Sequence, residues 1–149
     1  MKELIDKFEW VEWKPKNLAS VTPEEVERVE HESGFRIPLD YVEVAKHVQG
    51  KMPLPGGHDA DGNGSALGTL YHFSDEFNSE RLGRVDHINE DSEGMLLPFS
   101  QDGGGNIFAF NYGSDPKNEH PTVVFWDHET REITELARSF TEFLGQLRE

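Results

Sequence analysis

The chain has 149 residues, with 29 acidic and 14 basic side chains, a formal net charge of -15 and no cysteine. The missing thiols exclude disulfides, thiolate zinc sites and cysteine nucleophiles, and so negative a surface repels phosphate backbones and anionic lipid. Ten Phe, three Trp and three Tyr supply the contact area that a hydrophobic share of 35% would otherwise lack, so one compact domain over 1–149 is expected.

No run approaches the roughly eighteen apolar residues that a membrane span needs, and MKELIDKFEW mixes charges with apolar residues, unlike a signal peptide. A cytoplasmic location is the expectation. In Phe8-Glu9-Trp10-Val11-Glu12-Trp13 the apolar residues are too dense for one helical face. Aromatics this near a terminus are expected to dock it on the core, the alternative being exposed anchors for a partner.

Thr22-Pro23-Glu24-Glu25 has the form of a helix start. Thr22 caps, Pro23 takes the position whose N–H is not needed, and Glu25 reaches back to the cap N–H. Val21 and Val26 sit where a hydrophobic staple closes, Val29 continues the stripe, and Gly34 supplies a left-handed stop. A helix from about Thr22 to Ser33 is predicted. Ile37-Pro38-Leu39-Asp40-Tyr41 opens a second helix, with Tyr41, Val44, Ala45 and Val48 at helical spacing and Gly50 as its stop. The short connection predicts a helical hairpin over a shared apolar seam.

Prolines and glycines between Lys51 and Gly68 mark a loop. Within it, Asp59-Ala60-Asp61-Gly62-Asn63-Gly64 copies the first half of a calcium loop, but Leu70 stands at the twelfth position, where a bidentate Glu should close the site. A polar loop is the expected reading. Thr69 to Phe73 reads as a short strand, and Ser79 to Asn89 as a short helix weakened by Gly83.

Met95 to Phe99, Asn106 to Tyr112 and Thr122 to Trp126 are strand-like runs separated by turn residues, which predicts an antiparallel meander. The last run is apolar on both faces, as a covered central strand requires. In the middle run Phe108, Phe110 and Tyr112 share one face, and Ile107 and Ala109 the other. Ser139-Phe140-Thr141-Glu142 is a second capping box, opening a C-terminal helix with Phe140, Phe143, Leu144 and Leu147 on one face. The class is α+β: N-terminal helices packed on a mostly antiparallel sheet, closed by a C-terminal helix.

The run TPEEVERVEHESGFRIPLDY, then LPFSQDGGGNIFAF, VVFWDHE and SFTEFL, resembles the SMI1/KNR4 family of the SUKH superfamily. The resemblance spans about Thr22 to Leu147. It rests on the helix-start acids with Val26, Glu30, Gly34, Pro38 and Tyr41, and on Asp102, Gly104, Gly105, Asn106, Asp127, His128, Phe140 and Phe143. A Gly-Gly pair that family members often carry after the second helix stands here later, as Gly56-Gly57. The resemblance implies an α+β domain without a catalytic centre. Bacterial members are similar to immunity proteins that neutralise toxins, many of them nucleases, and fungal relatives act through partners in cell-wall synthesis.

A phosphate-cradling loop needs a helix N-terminus after its glycines, whereas Asn106 leads into a strand and no Lys or Arg stands near Gly103-Gly104-Gly105. The glycines therefore turn the chain. His58 and His128 lack the spacing of converging metal ligands, and no G-x-S-x-G elbow is present. No catalytic, cofactor or metal residue is assigned. The remaining feature is acidic: Asp75, Glu76, Glu80, Asp86, Glu90, Asp91 and Glu93, with Phe77 among them, against Arg81 and Arg84. These are the expected partner-binding residues, able to steer toward a basic surface, and a merely solvated face is the alternative. The expectation is a non-enzymatic bacterial immunity protein that occludes a basic toxin surface. The alternative is a regulatory scaffold for an endogenous partner.

Overall fold

The computed structural model describes residues 1–12, 17–57, 66–77, 80–83 and 95–148. Among these, no helix is long and apolar enough to cross a membrane. Helices α1 (Lys2–Asp6), α2 (Pro23–Ser33), α3 (Leu39–Val48) and α4 (Phe140–Gln146) accompany strands β1 (Glu9–Val11), β2 (Met52–Leu54), β3 (Leu96–Gln101), β4 (Ile107–Asn111), β5 (Thr122–Trp126) and β6 (Ile133–Ala137).

Helix α2 begins and ends as its capping chemistry dictates. Thr22 Oγ1 accepts the Glu25 N–H at 3.1 Å while Glu25 Oε1 accepts the Thr22 N–H at 3.1 Å, and Gly34 closes the helix at φ 80°. In α3 the predicted stripe of Tyr41, Val44, Ala45 and Val48 is buried. The expected helical hairpin does not form, because α3 packs against α4 and leaves a groove toward α2. The connection itself is the cause. Phe35 and Ile37 dive into the core, with the Phe35 ring 4.7 Å from that of Tyr112, and the Arg36 N–H donates to the Pro116 carbonyl at 3.0 Å.

Strands β3-β4-β5-β6 form one antiparallel sheet in sequence order, so the predicted meander is present and one strand longer. The added edge strand β6 is mostly exposed, hence it lacks the apolar run that betrays a covered strand. Phe99, Phe108, Phe110 and Phe125 point to one face, which α3 and α4 cover, while Leu96, Ile107, Ala109, Val124 and Trp126 form a second buried cluster on the other. Tyr41 of α3 meets Phe140 at 4.9 Å, Phe110 at 5.5 Å and Phe99 at 5.8 Å between ring centroids. Edge-to-face aromatic contacts of this kind add about 0.5–1.5 kcal/mol each to the burial itself.

The segment from Thr69 to Phe73 is extended but is not the strand expected. Its N–H groups find partners in different segments, Leu70 on the Lys51 carbonyl at 3.0 Å, Tyr71 on that of Phe99 at 2.8 Å and Phe73 on Gln49 Oε1 at 2.9 Å, so no ladder forms. Gly68 passes so near β3 that a Cβ there would lie 2.3 Å from the Gln101 carbonyl oxygen. Of the helix expected over Ser79 to Asn89, residues 80–83 form a bridge and a turn. Glu80 at φ 57° and Gly83 at φ 104° depart from helical backbone there, and the rest lies outside the described residues.

At the N-terminus β1 pairs with β2, and Trp10 is half-buried, its Nε1 donating to the Ile5 carbonyl at 2.9 Å. Trp10 thus docks the terminus, while Trp13 is outside the described residues. In α4 Ser139 Oγ accepts the Glu142 N–H at 3.0 Å, but Glu142 Oε2 takes the Arg138 N–H at 2.9 Å. The second capping box therefore has its return arm one residue upstream of the cap. That backbone hydrogen bond is the main cause holding the Glu142 carboxyl below its ordinary range.

Candidate protein-binding surfaces

The glycine-rich segment is a hairpin turn between β3 and β4. Asp102 Oδ1 accepts the N–H groups of Gly104 at 2.9 Å and Asn106 at 3.0 Å, and Oδ2 accepts Asn106 Nδ2 at 3.0 Å. Gly105 turns at φ 91°. Asn106 Oδ1 then accepts the His128 N–H at 3.1 Å and lies 2.7 Å from His128 Nδ1. An amide oxygen only accepts, so Nδ1 carries the proton in that contact. Asp127 Oδ1 accepts the Glu129 N–H at 2.8 Å. The carboxylates at these positions hold turns, and the Asn106 amide ties the β3–β4 hairpin to the β5–β6 turn. Among the described residues, no group of three or more His, Asp or Glu could hold a metal ion. His58 and the Asp59-Asp61-Asn63 loop lie outside them.

Asp75, Glu76, Phe77 and Glu80 share one irregular loop beside α2. Asp75 and Glu76 are exposed on a bend, and Phe77 sits edge-on to His72 at 5.9 Å. Arg28 of α2 places Nη1 3.7 Å from Asp75 Oδ2 and donates through Nη2 to the Phe73 carbonyl. Arg81 Nη2 donates to Glu32 Oε2 at 2.7 Å. Two arginines thereby moor the acidic loop to α2 and answer part of its charge, although such surface pairs are worth only about 0–1 kcal/mol. Tyr71, beneath this loop, has its phenol pushed up to about 12 by burial and then by the charge of Glu80. Asp86, Glu90, Asp91 and Glu93 lie outside the described residues.

A surface that the sequence reading missed lies between α2 and α3. Val21 and Val26 on one side and Ile37 and Val42 on the other line a groove of about 500 Å³. Leu39 borders it, 77% exposed, and also borders a neighbouring depression of about 300 Å³ lined by Pro38, Pro121 and Phe140. One signal was available. Once Tyr41, Val44, Ala45 and Val48 are taken by the core, Leu39 and Val42 remain as an apolar pair three residues apart on another flank of the helix.

The charges around the groove are unevenly answered. Arg36 Nη1 lies 2.9 Å from Glu119 Oε1, Lys46 Nζ lies 3.6 Å from Glu43 Oε2, and Glu30 Oε2 accepts the Ile37 N–H at 2.8 Å. Of the charged residues lining the groove, Glu27 of α2 and the Lys117 ammonium have no side-chain hydrogen bond or ion pair among the described residues.

A family model for the SMI1/KNR4 family (SUKH-1) matches residues 20–146 of the 149, from just before α2 to the end of α4. The matched span contains the glycine hairpin, the acidic loop and the groove. No curated protein and no solved structure matches.

Proposed function

The chain belongs to the SMI1/KNR4 family, and on that premise we propose that it works by binding another protein, as a cytoplasmic immunity protein that neutralises a toxin by covering a basic surface. The ordered family match over residues 20–146 is the observation that carries this reading. The net charge of -15 supports it, because an acidic surface steers a basic partner and can raise association about ten- to a thousandfold at low salt.

The site chemistry supports binding without turnover. The Asp102 carboxylate accepts the N–H groups of Gly104 and Asn106 and the Asn106 side-chain amide, and Asn106 Oδ1 meets His128 Nδ1, which is the work of a scaffold. Asp75, Glu76, Phe77 and Glu80, with Asp86, Glu90, Asp91 and Glu93, are the proposed steering face, and 1–149 acts as one domain. Co-expression with the toxin encoded in the adjacent reading frame tests the reading. Survival and a complex on a sizing column are expected. Continued toxicity with no complex would overturn it.

A further inference from the structure

We propose that the outer edge of β6 holds the partner, and that it takes an extended segment of a basic protein as a further strand of the sheet, with an aliphatic side chain opposite Ile133 and a lysine or arginine opposite Glu135. This rests on the protein-binding reading above and names the surface and the segment. The two edges of the sheet differ. Along β3 the chain covers its own edge, the Gly68 N–H donating to the Gln101 carbonyl at 3.0 Å and the Tyr71 N–H to that of Phe99 at 2.8 Å. Along β6 the register decides which groups point outward. The Asp127 N–H donates to the Glu132 carbonyl at 3.0 Å, and the pairs Trp126 with Ile133, Phe125 with Thr134 and Val124 with Glu135 follow in turn. Antiparallel pairs alternate between bonded and unbonded, so Thr134 spends its N–H and C=O on Phe125, whereas Ile133 and Glu135 turn theirs away from β5. Both residues are exposed, and no other described segment bonds to them. Gln146 Nε2 donates to the Leu136 carbonyl at 3.1 Å, so the open stretch ends at Glu135.

A row of outward main-chain donors and acceptors is met by another extended backbone, and the side chains choose whose. Ile133, 38% exposed, shares one face of β6 with Glu135, while Glu132 stands on the other. Neither carboxylate has a side-chain hydrogen bond or ion pair among the described residues, so a base opposite Glu135 gains on both counts, charge and pairing. A second copy fits less well. A two-fold pairing centred on Glu135 sets two carboxylates against each other, and one centred on Thr134 sets Ile133 against a carboxylate. One centred on Ile133 leaves Glu135 opposite Arg131, whose φ of 63° takes it out of the ladder. Every register also joins two chains of charge -15. The acidic loop around Asp75 attracts a basic partner; the β6 edge gives it directional bonds.

An NMR titration of the full chain with three synthetic peptides tests this: a Thr-rich strand peptide with a central Val and a Lys two residues to either side, the same peptide N-methylated at Val and both Lys, and a counterpart with Glu for Lys. The first is expected to shift the amides of Ile133 and Glu135 and to slow their hydrogen exchange, leaving that of Thr134, already bonded, unchanged. N-methylation removes the donors that face β6 and should weaken binding about tenfold, and the Glu counterpart should bind about tenfold more weakly as well. Glu135→Pro deletes an outward N–H that the fold does not use and should weaken the Lys peptide about tenfold, and Glu135→Lys about threefold. Equal affinity for the N-methylated peptide, shifts confined to Asp75–Glu80, or no shift up to the solubility of the Lys peptide would overturn the edge without recourse to any variant. Equal affinity for the Glu counterpart would overturn its basic partner. Self-association abolished by Glu135→Pro would give the edge to a second copy and overturn the proposal likewise. A toxin that binds the Glu135→Pro variant as tightly as the wild type sinks the edge alone, whereas a toxin that ignores the wild-type chain sinks the immunity function and leaves the peptides to judge the edge.

Discussion

The inner face of the sheet and the groove between α2 and α3 are built from the same kind of side chain, yet one is closed and the other open. Phe99, Phe108 and Phe110 have α3 and α4 laid over them, and each is removed from solvent. Along the groove Val21 and Ile37 are buried as its floor, whereas Val26 and Val42 are only half-buried and Leu39 at the rim is exposed. The difference lies in the connection between α2 and α3, whose Phe35 and Ile37 are drawn into the core and hold the helices apart. Apolar residues that close a core specify a fold, and those left uncovered are available to a partner.

Substitutions separate the two regions most sharply where burial differs most. Phe99→Ala removes a fully buried ring that stacks at 4.6 Å on Phe110, and should cost about 3–5 kcal/mol in chemical denaturation. A loss under about 1 kcal/mol would mean that this face is not sealed. Alkaline titration probes the same interior. All three tyrosines have raised phenols through burial, Tyr71 to about 12 and Tyr41 and Tyr112 also upward. A folded pKa above the unfolded value near 10 means stability is whole below about pH 10 and is lost as pH rises toward 12. Tyrosinate absorbance should therefore lag that of the unfolded chain, and coincident curves would contradict the burial.

Asp102→Ala strips a buried carboxylate of its three hydrogen bonds and should cost about 2–3 kcal/mol, measured by thermal unfolding, while peptide affinity at the β6 edge stays unchanged. A change in affinity would mean that hairpin and edge are coupled. Leu39→Asp should be the mildest for folding, within about 0.5 kcal/mol of wild type, because the side chain is already in water. A larger loss would close the groove in solution and erase the contrast.

Much of the α2 boundary was legible because its determinants are local: a capping Thr, a reciprocating Glu, a glycine free to turn left-handed. The α3 stripe, the three apolar strands and the aromatic face of α4 were legible for a related reason, since periodicity records which side is covered. The acidic stretch was visible as composition, but composition does not say that Arg28 and Arg81 moor its first part to α2. Edge strand β6 escaped notice because its pairing depends on backbone groups that every residue carries.

By itself, then, the amino-acid order determined the ends of α2, the hairpin turn at Asp102 and the family, all of which depend on residues within a few positions of one another or on their order along the chain. Only the tertiary structure decided that α3 would turn to α4 and not to α2, and that Leu39 and Val42 would be left facing a groove. Those outcomes depend on competition among distant surfaces for the same apolar face, in which the connecting residues Phe35 and Ile37 are themselves buried in the shared core.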